Sequence, residues 1–190
     1  MSDLIEHREW CPPGYADEGF AGQRIAVVGH SHWSDDADDP EFTRKCMSNV
    51  IAGAWDISFF NVIPKYFEAE SRADFWSRVM FFNFLPSKVG GGAGRFGYGT
   101  REQLEAGRAR VLRILDDHQP DNLFVFSTKA WNEFPLTIEG TQKAESGSAL
   151  GWKHYETAGG KRVKAIGLRH PQGSPLAATT ERVSALMGDR

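Results

Sequence analysis

The chain has 190 residues, of which 41% are hydrophobic and 25% charged, and its formal net charge is −3. This length suits one α/β domain and is short for two. No apolar stretch reaches the roughly 20 residues of a membrane span, and the N-terminus lacks an apolar signal core, so we expect a cytoplasmic protein. With only Cys11 and Cys46, the sequence excludes a disulfide framework and a four-thiolate iron–sulfur cluster.

Residues 1–23 are rich in proline, glycine and acids and predict an N-terminal arm, with the folded domain over residues 24–190. Four short apolar runs predict buried strands, because turn residues bound each of them. The strands are expected at residues 24–28, 79–82, 123–126 and 163–168. Segments with helical spacing occur at residues 40–51, 69–77, 101–118 and 180–187. This alternation predicts a three-layer αβα sandwich around a central, mainly parallel, four-stranded sheet.

Two of the helices have specific start signals. Asp39 before Pro40 predicts an N-cap followed by the first helical position. Thr100, with Gln103 three residues later, predicts a capping box. Residues 57–62 fit a strand or a buried turn equally well.

Polar side chains follow three of the predicted strands. The first strand ends in Gly29-His30-Ser31-His32-Trp33, and the second ends at Asn83. The last is followed by His170-Pro171-Gln172-Gly173-Ser174. In parallel α/β sheets, ligands bind beyond the carboxyl ends of the strands. These three strand ends therefore predict one site.

The order of these motifs resembles the uracil-DNA glycosylase superfamily. That family has a glycine-led loop after its first strand, an Asn that ends a central strand, and a late His-Pro-Ser motif. Residues 120–130 are also similar to the family's segment of Pro, apolar strand, Gly, two residues and Ala, with Ser127 in place of the Gly. The resemblance covers about residues 24–178, although residues 132–162 match no motif of the family.

The resemblance implies a DNA glycosylase that hydrolyses the N-glycosidic bond of a flipped, deaminated or modified base of the uracil type. Gly29 and Asn83 would hold the base, because an amide reads a carbonyl beside an N–H. His170 would donate a hydrogen bond to the departing base. Trp33 and Phe42 are the aromatic candidates for stacking on the base, and Phe42 also fits the core face of a helix.

The first loop departs from the family pattern. Ser31 stands where the best-known members carry Asp or Asn, and a neutral hydroxyl is a poor general base without a partner. His30 and His32 therefore join Ser31 and His170 as catalytic candidates. Asp35 and Asp36 are also near in sequence.

Contacts to the nucleic-acid backbone are expected from Lys88, Arg169 and Ser174, although two inserted residues separate Ser174 from His170-Pro171. Lys88, Arg169, Arg95 and Lys129 fit either a local basic patch or scattered surface charge. The glycine-rich residues 90–99 fit either a loop along the nucleic acid or a loop without a ligand. The expected partner is single- or double-stranded DNA, and the expected protein is a monomer without metal or cofactor.

Two alternatives remain open. Gly29-His30-Ser31-His32 is similar to the Gly-His-x-His strand end of calcineurin-like metal-dependent phosphoesterases, and Asp35, Asp36 and Asp38 are nearby, but that family's other ligand motifs are missing. The second alternative is a non-catalytic nucleic-acid or nucleotide-binding module on the glycosylase scaffold.

Overall fold

The computed structural model describes residues 4–33, 37–90, 97–137 and 149–188. Within these residues, one sheet contains five strands: β1 Ile25–Gly29, β2 Met80–Asn83, β3 Asn122–Val125, β4 Ala149–Glu156 and β5 Arg162–Leu168. The strand order is β2-β1-β3-β5-β4. Only the β4–β5 pair is antiparallel. The mainly parallel sheet is confirmed, but the predicted count of four strands is wrong, because β4 contains no continuous apolar run.

Six α-helices occur in the described residues: α1 Phe42–Ile51, α2 Ser58–Tyr66, α3 Arg72–Trp76, α4 Arg101–His118, α5 Thr128–Glu133 and α6 Leu176–Gly188. A 3-10 turn covers Pro171–Gly173. None of the helices in the described segments has the length and apolar character that a membrane crossing requires.

The helices cover both faces of the sheet. Strand β1 shows this directly, because Ile25 and Val27 pack with α1, α2, α3 and α6, whereas Ala26 and Val28 pack with α4 and α5. Alternate side chains of a strand point to opposite faces, so a strand that is apolar at every position is buried on both sides. The αβα layering expected from the sequence is therefore observed.

Helix starts follow the predicted signals in part. The Thr100–Gln103 capping box is present. Helix α1 begins at Phe42, later than predicted, and Glu41 is its N-cap. The Asp39 carboxylate accepts the Glu41 N–H at 2.9 Å, so Asp39 closes a turn just before the helix. Residues 57–62 form neither a strand nor a turn but the start of α2.

The described part of the predicted N-terminal arm packs on the edge of the sheet. Trp10 pairs antiparallel with Phe81 of β2 through two backbone hydrogen bonds of 2.8 and 2.9 Å. The Trp10 indole N–H donates to the Trp76 carbonyl at 2.9 Å, and His7 and Tyr15 are buried. This segment therefore covers the edge that β2 would otherwise expose.

An ion pair joins the same N-terminal segment to the end of α4. The Glu9 carboxylate lies 3.1 Å from Nε2 of His118. Hydrogen bonds to Cys11 and to Glu9 raise the pKa of His118 to about 10, against the opposing effect of burial. The hydrogen bond from His118 lowers the pKa of Glu9 to about 2. Both groups are therefore charged at neutral pH.

Candidate functional site

The candidate site begins where β1 and β2 end side by side. Gly29 and Asn83 are partners in the parallel register. The pairing continues past the strand ends, because the Phe84 N–H donates to the Gly29 carbonyl at 3.1 Å and the Leu85 N–H donates to the His30 carbonyl at 2.9 Å. The backbone therefore holds the first loop directly beside Asn83.

Gly29 is required by the position of the Asn83 amide. A Cβ atom at position 29 would lie 2.3 Å from Oδ1 of Asn83, well inside the ordinary separation of about 3.5 Å. The ring of Phe59, in the first turn of α2, lies 3.6 Å from the same point. Gly29 thus leaves the space in which the amide and the aromatic ring meet.

Phe59 also connects this group to the last of the three motifs. Its ring centroid lies 5.5 Å from that of His170, with 41° between the planes. Gly29, Asn83 and His170 are far apart in the chain, yet Asn83 and Phe59 both lie beside Gly29, and the Phe59 ring contacts the His170 ring. The structure therefore brings these three residues together around an aromatic ring that the sequence analysis did not select.

The Asn83 side chain is positioned but not engaged. It is 4% exposed, and no hydrogen bond joins its amide to another described residue. Its backbone carbonyl accepts a 2.9 Å hydrogen bond from Arg110, whose guanidinium is buried and also donates to the His7 carbonyl. Arg110 therefore fixes the end of β2 through the Asn83 backbone and makes no hydrogen bond to the Asn83 side-chain amide.

Arg110 remains a cation in spite of its burial. The carboxylate of Glu6 lies 3.2 Å from its Nε. Burial lowers the pKa of Arg110 to about 10, and the charges of Glu6 and Glu9 oppose that shift. The guanidinium is therefore charged at neutral pH and ties α4, β2 and the N-terminal segment together.

His170 is a neutral hydrogen-bond donor in this arrangement. Its Nδ1 accepts the backbone N–H of Gln172 at 3.3 Å, so the neutral ring carries its proton on Nε2. Partial desolvation lowers the pKa of His170 below its usual value. At neutral pH the ring can therefore donate from Nε2.

An open depression of about 620 Å³ lies beside His170. Its lining residues are Thr128, Leu150, Arg169, His170, Gln172 and Gly173. The volume falls within the range of small-molecule sites, about 300–1,000 Å³. His170 both lines this depression and contacts Phe59, so it joins the depression to the Gly29–Asn83 group.

His30 and Ser31 form a hydrogen-bonded pair in the first loop. Nδ1 of His30 lies 3.1 Å from Oγ of Ser31. Burial, together with the charge of Lys129, lowers the pKa of His30 to about 4, and a hydrogen bond to the Tyr98 backbone opposes the shift. His30 is therefore neutral at pH 7, and the pair carries no negative charge.

His32 and Phe42 belong to a separate packing cluster. Nε2 of His32 lies 2.9 Å from Oγ1 of Thr43, and its ring is 4.9 Å from that of Phe42. Phe42 also stacks on His7 at 5.6 Å. Burial lowers the pKa of His32 to about 3. The structure thus assigns His32 and Phe42 to packing and does not bring them to Gly29, Asn83 and His170.

The remaining candidates differ in how accessible they are. Lys88 has a side chain only 6% exposed and donates to the Ala37 carbonyl at 2.8 Å, so it is not presented to a ligand. Ser174 donates to the carbonyls of Arg169 and His170 and closes their turn. Arg169 lines the depression and is exposed, and Trp33 is 57% exposed.

The contacts of the described residues give no support to a metal centre in the first loop. No three His, Cys, Asp or Glu side chains among these residues are grouped in a way that could hold a metal ion. His30 pairs with Ser31, whereas His32 pairs with Thr43. Asp35, Asp36 and Arg95 lie outside the described residues, as do residues 91–96 of the glycine-rich loop.

Two residues of the site escaped the sequence analysis. Phe59 falls in a segment whose structure the sequence left undecided, and the contacts of Arg110 join parts of the chain that are distant in sequence.

No protein-family model matches the chain, and a search of curated proteins finds no significant match. The functional argument therefore depends on the geometry of the site.

Proposed function

We propose that this chain is a DNA glycosylase-like hydrolase with the uracil-DNA-glycosylase type of fold. It would break the bond between the sugar and a flipped, deaminated or modified base. One observation carries the proposal: the Asn83 amide, the Phe59 ring and the His170 imidazole meet beside Gly29 at the carboxyl edge of a parallel sheet. These are the groups needed to read, stack and release a nucleobase.

Base recognition would fall to Asn83 and Phe59. The Asn83 amide offers one acceptor and two donors, and no described residue engages them. A base with a carbonyl beside an N–H satisfies both kinds of group at once. Stacking on an aromatic ring contributes about 1–3 kcal/mol per base, and the Phe59 ring, which like the amide lies beside Gly29, would provide it.

Bond cleavage would depend on His170. As the bond between the sugar and the base breaks, its electron pair leaves with the base. The neutral His170 ring donates from Nε2 to an oxygen of that base, and removal of such a donor typically costs about 10²–10³ in rate. The oxygen of a water molecule bonds to the anomeric carbon, and the proton lost by the water balances the proton gained by the base.

The His30–Ser31 pair is our candidate for orienting this water. The Ser31 hydroxyl is 3.1 Å from Nδ1 of an imidazole ring that stays neutral at pH 7. The pair can therefore accept a hydrogen bond from water and pass one proton on. It replaces the carboxylate or amide that the resembling family carries at this position.

One observation favours a second candidate function, a non-catalytic binding module. The described part of the first loop has a neutral pair where a catalytic carboxylate is expected. Such a module would keep the base-reading groups Asn83 and Phe59 while hydrolysing nothing.

Oligonucleotides that contain uracil, hypoxanthine, xanthine or an oxidised pyrimidine test the proposal. We expect alkali-labile strand breaks with at least one of these bases. Asn83→Ala should abolish discrimination between bases, and His170→Ala should lower the single-turnover cleavage rate about 10²–10³-fold with binding retained. Asn132→Ala and His154→Ala, on α5 and β4, are matched controls that should behave like the wild type.

Two results would contradict the proposal. Binding without cleavage of any of these bases would favour the binding module. An active protein whose Asn83→Ala and His170→Ala variants match the wild type would refute the assigned roles.

A further inference from the structure

Two exposed aromatic side chains flank the first loop. Among the aromatic side chains that the structure describes, only Trp33 and Tyr98 are more than half exposed, at 57% and 55%. Trp33 follows His30 by three residues, so their Cα atoms lie within about 11 Å. Gly99, the residue after Tyr98, lies against the Leu85 side chain, and the Leu85 N–H donates to the His30 carbonyl at 2.9 Å. Both residues therefore lie near His30 of the first loop.

Each ring, or the backbone that carries it, contacts another described segment. Trp33 forms a parallel bridge with Val89, whose N–H donates to the His32 carbonyl at 3.0 Å. The Tyr98 ring packs against the Lys129 ammonium, 4.8 Å from the ring centroid. Rings that are held in place but remain exposed lose little entropy when they stack on a ligand.

Among the described residues, few cations accompany these rings. Lys129 is next to Thr128, which lines the depression, and Arg169 lines it directly. The Lys88 side chain is buried and donates to the Ala37 carbonyl, and the chain carries a formal net charge of −3. Aromatic stacking, rather than attraction to many phosphates, is therefore the main attraction that this surface offers to a nucleic acid.

We propose that Trp33 and Tyr98 stack on unpaired bases on either side of the target base, which makes single-stranded DNA the substrate class; this inference rests on the proposed function. In a duplex, neighbouring bases cover one another's faces, so the two rings have nothing to stack on. In a single strand these faces are open, and the target base is already out of a helix.

Fluorescence anisotropy with labelled oligonucleotides of normal bases tests the inference without any chemistry. Single strands should bind more tightly than the matching duplexes. Trp33→Ala and Tyr98→Ala should each weaken single-strand binding about 5- to 160-fold. Trp33→Phe and Tyr98→Phe should retain most of it, because a ring remains. Trp55→Ala is the matched control, since Trp55 is 37% exposed in the loop between α1 and α2, and it should bind normally.

Salt dependence provides a second readout. Two phosphate contacts, by Lys129 and Arg169, predict a slope of log affinity against log salt near −1.4, at about −0.7 per contact on a single strand. A much steeper slope would point to an extended electrostatic interface and would overturn the stacking model.

The inference and the proposed function fail in different ways. Loss of single-strand binding in the two alanine variants, with no cleavage of any modified base, would support the stacking surface and refute the glycosylase activity. Cleavage that prefers duplexes, or that is unaffected by both variants, would refute the stacking surface and leave the activity standing. Binding to anionic vesicles but to no oligonucleotide would also overturn the stacking surface.

Discussion

A single methyl group at position 29 should disturb the site through Asn83 alone. The Cβ of a Gly29→Ala variant would lie 2.3 Å from Oδ1 of Asn83, an overlap of about 1 Å, whereas the Phe59 ring at 3.6 Å is in ordinary contact. Overpacking of this kind costs about 1–3 kcal/mol. For a chain of this length, 2 kcal/mol corresponds to a fall in Tm of about 4–8 °C.

The Asn83→Ala background isolates the clash. Removing the amide removes the atom that the new methyl group meets, so Gly29→Ala should then cost less than about 0.5 kcal/mol. The two substitutions should therefore couple by about 1–2 kcal/mol in a double-mutant cycle. Independent sites would show additive effects instead.

Urea unfolding of the wild type, both single variants and the double variant measures this coupling. Additive free energies of unfolding would refute the reasoning, because they would mean that the amide does not lie against Gly29. The single Gly29→Ala variant should also lose base discrimination in the cleavage assay, since a displaced amide cannot read the base.

Three further outcomes are expected. Arg110→Met should lower the free energy of unfolding, measured by urea denaturation, by about 2–6 kcal/mol, because two buried carbonyls lose their hydrogen-bond donor. As a control, Arg113→Met, at a half-exposed side chain, should lower it by at most about 1 kcal/mol. Because the pKa of His118 is about 10 in the folded state and lower in the unfolded state, urea midpoints should fall as pH rises from about 6.5 to 10, and His118→Gln should flatten this dependence. Phe59→Leu should weaken binding of a modified base several-fold in anisotropy titrations, whereas Phe42→Leu should not.

The sequence predicts the parts of the fold that local patterns specify. Strand β1 is apolar at every position because both of its faces are buried, and the Thr100 capping box marks the start of α4. Asn83 and Gly29 were expected near each other because parallel strands end at the same edge of the sheet. The structure places them in direct contact, a finer result than register alone implies.

Other parts depend on contacts that no local pattern encodes. Strand β4 pairs only with β5 in the described structure and mixes Lys153 and His154 with apolar residues, so it has no buried run. Trp10 reaches the sheet by pairing with Phe81, which composition alone cannot indicate. Phe59 reaches the site because α2 begins beside Gly29, a contact between segments that are distant in sequence.

The neutral first loop limits which bases the proposed reaction can release. A carboxylate beside the sugar stabilises the positive charge that develops there, but the His30–Ser31 pair carries no charge and lies near the Lys129 cation. In the proposed reaction the barrier would then be lowered mainly on the other side of the breaking bond, where His170 would face the departing base. A base that holds negative charge poorly would leave too slowly. We therefore expect the proposed reaction to favour bases whose own structure spreads that charge, such as a ring with carbonyl groups on both sides of an N–H, which Asn83 would also be suited to read.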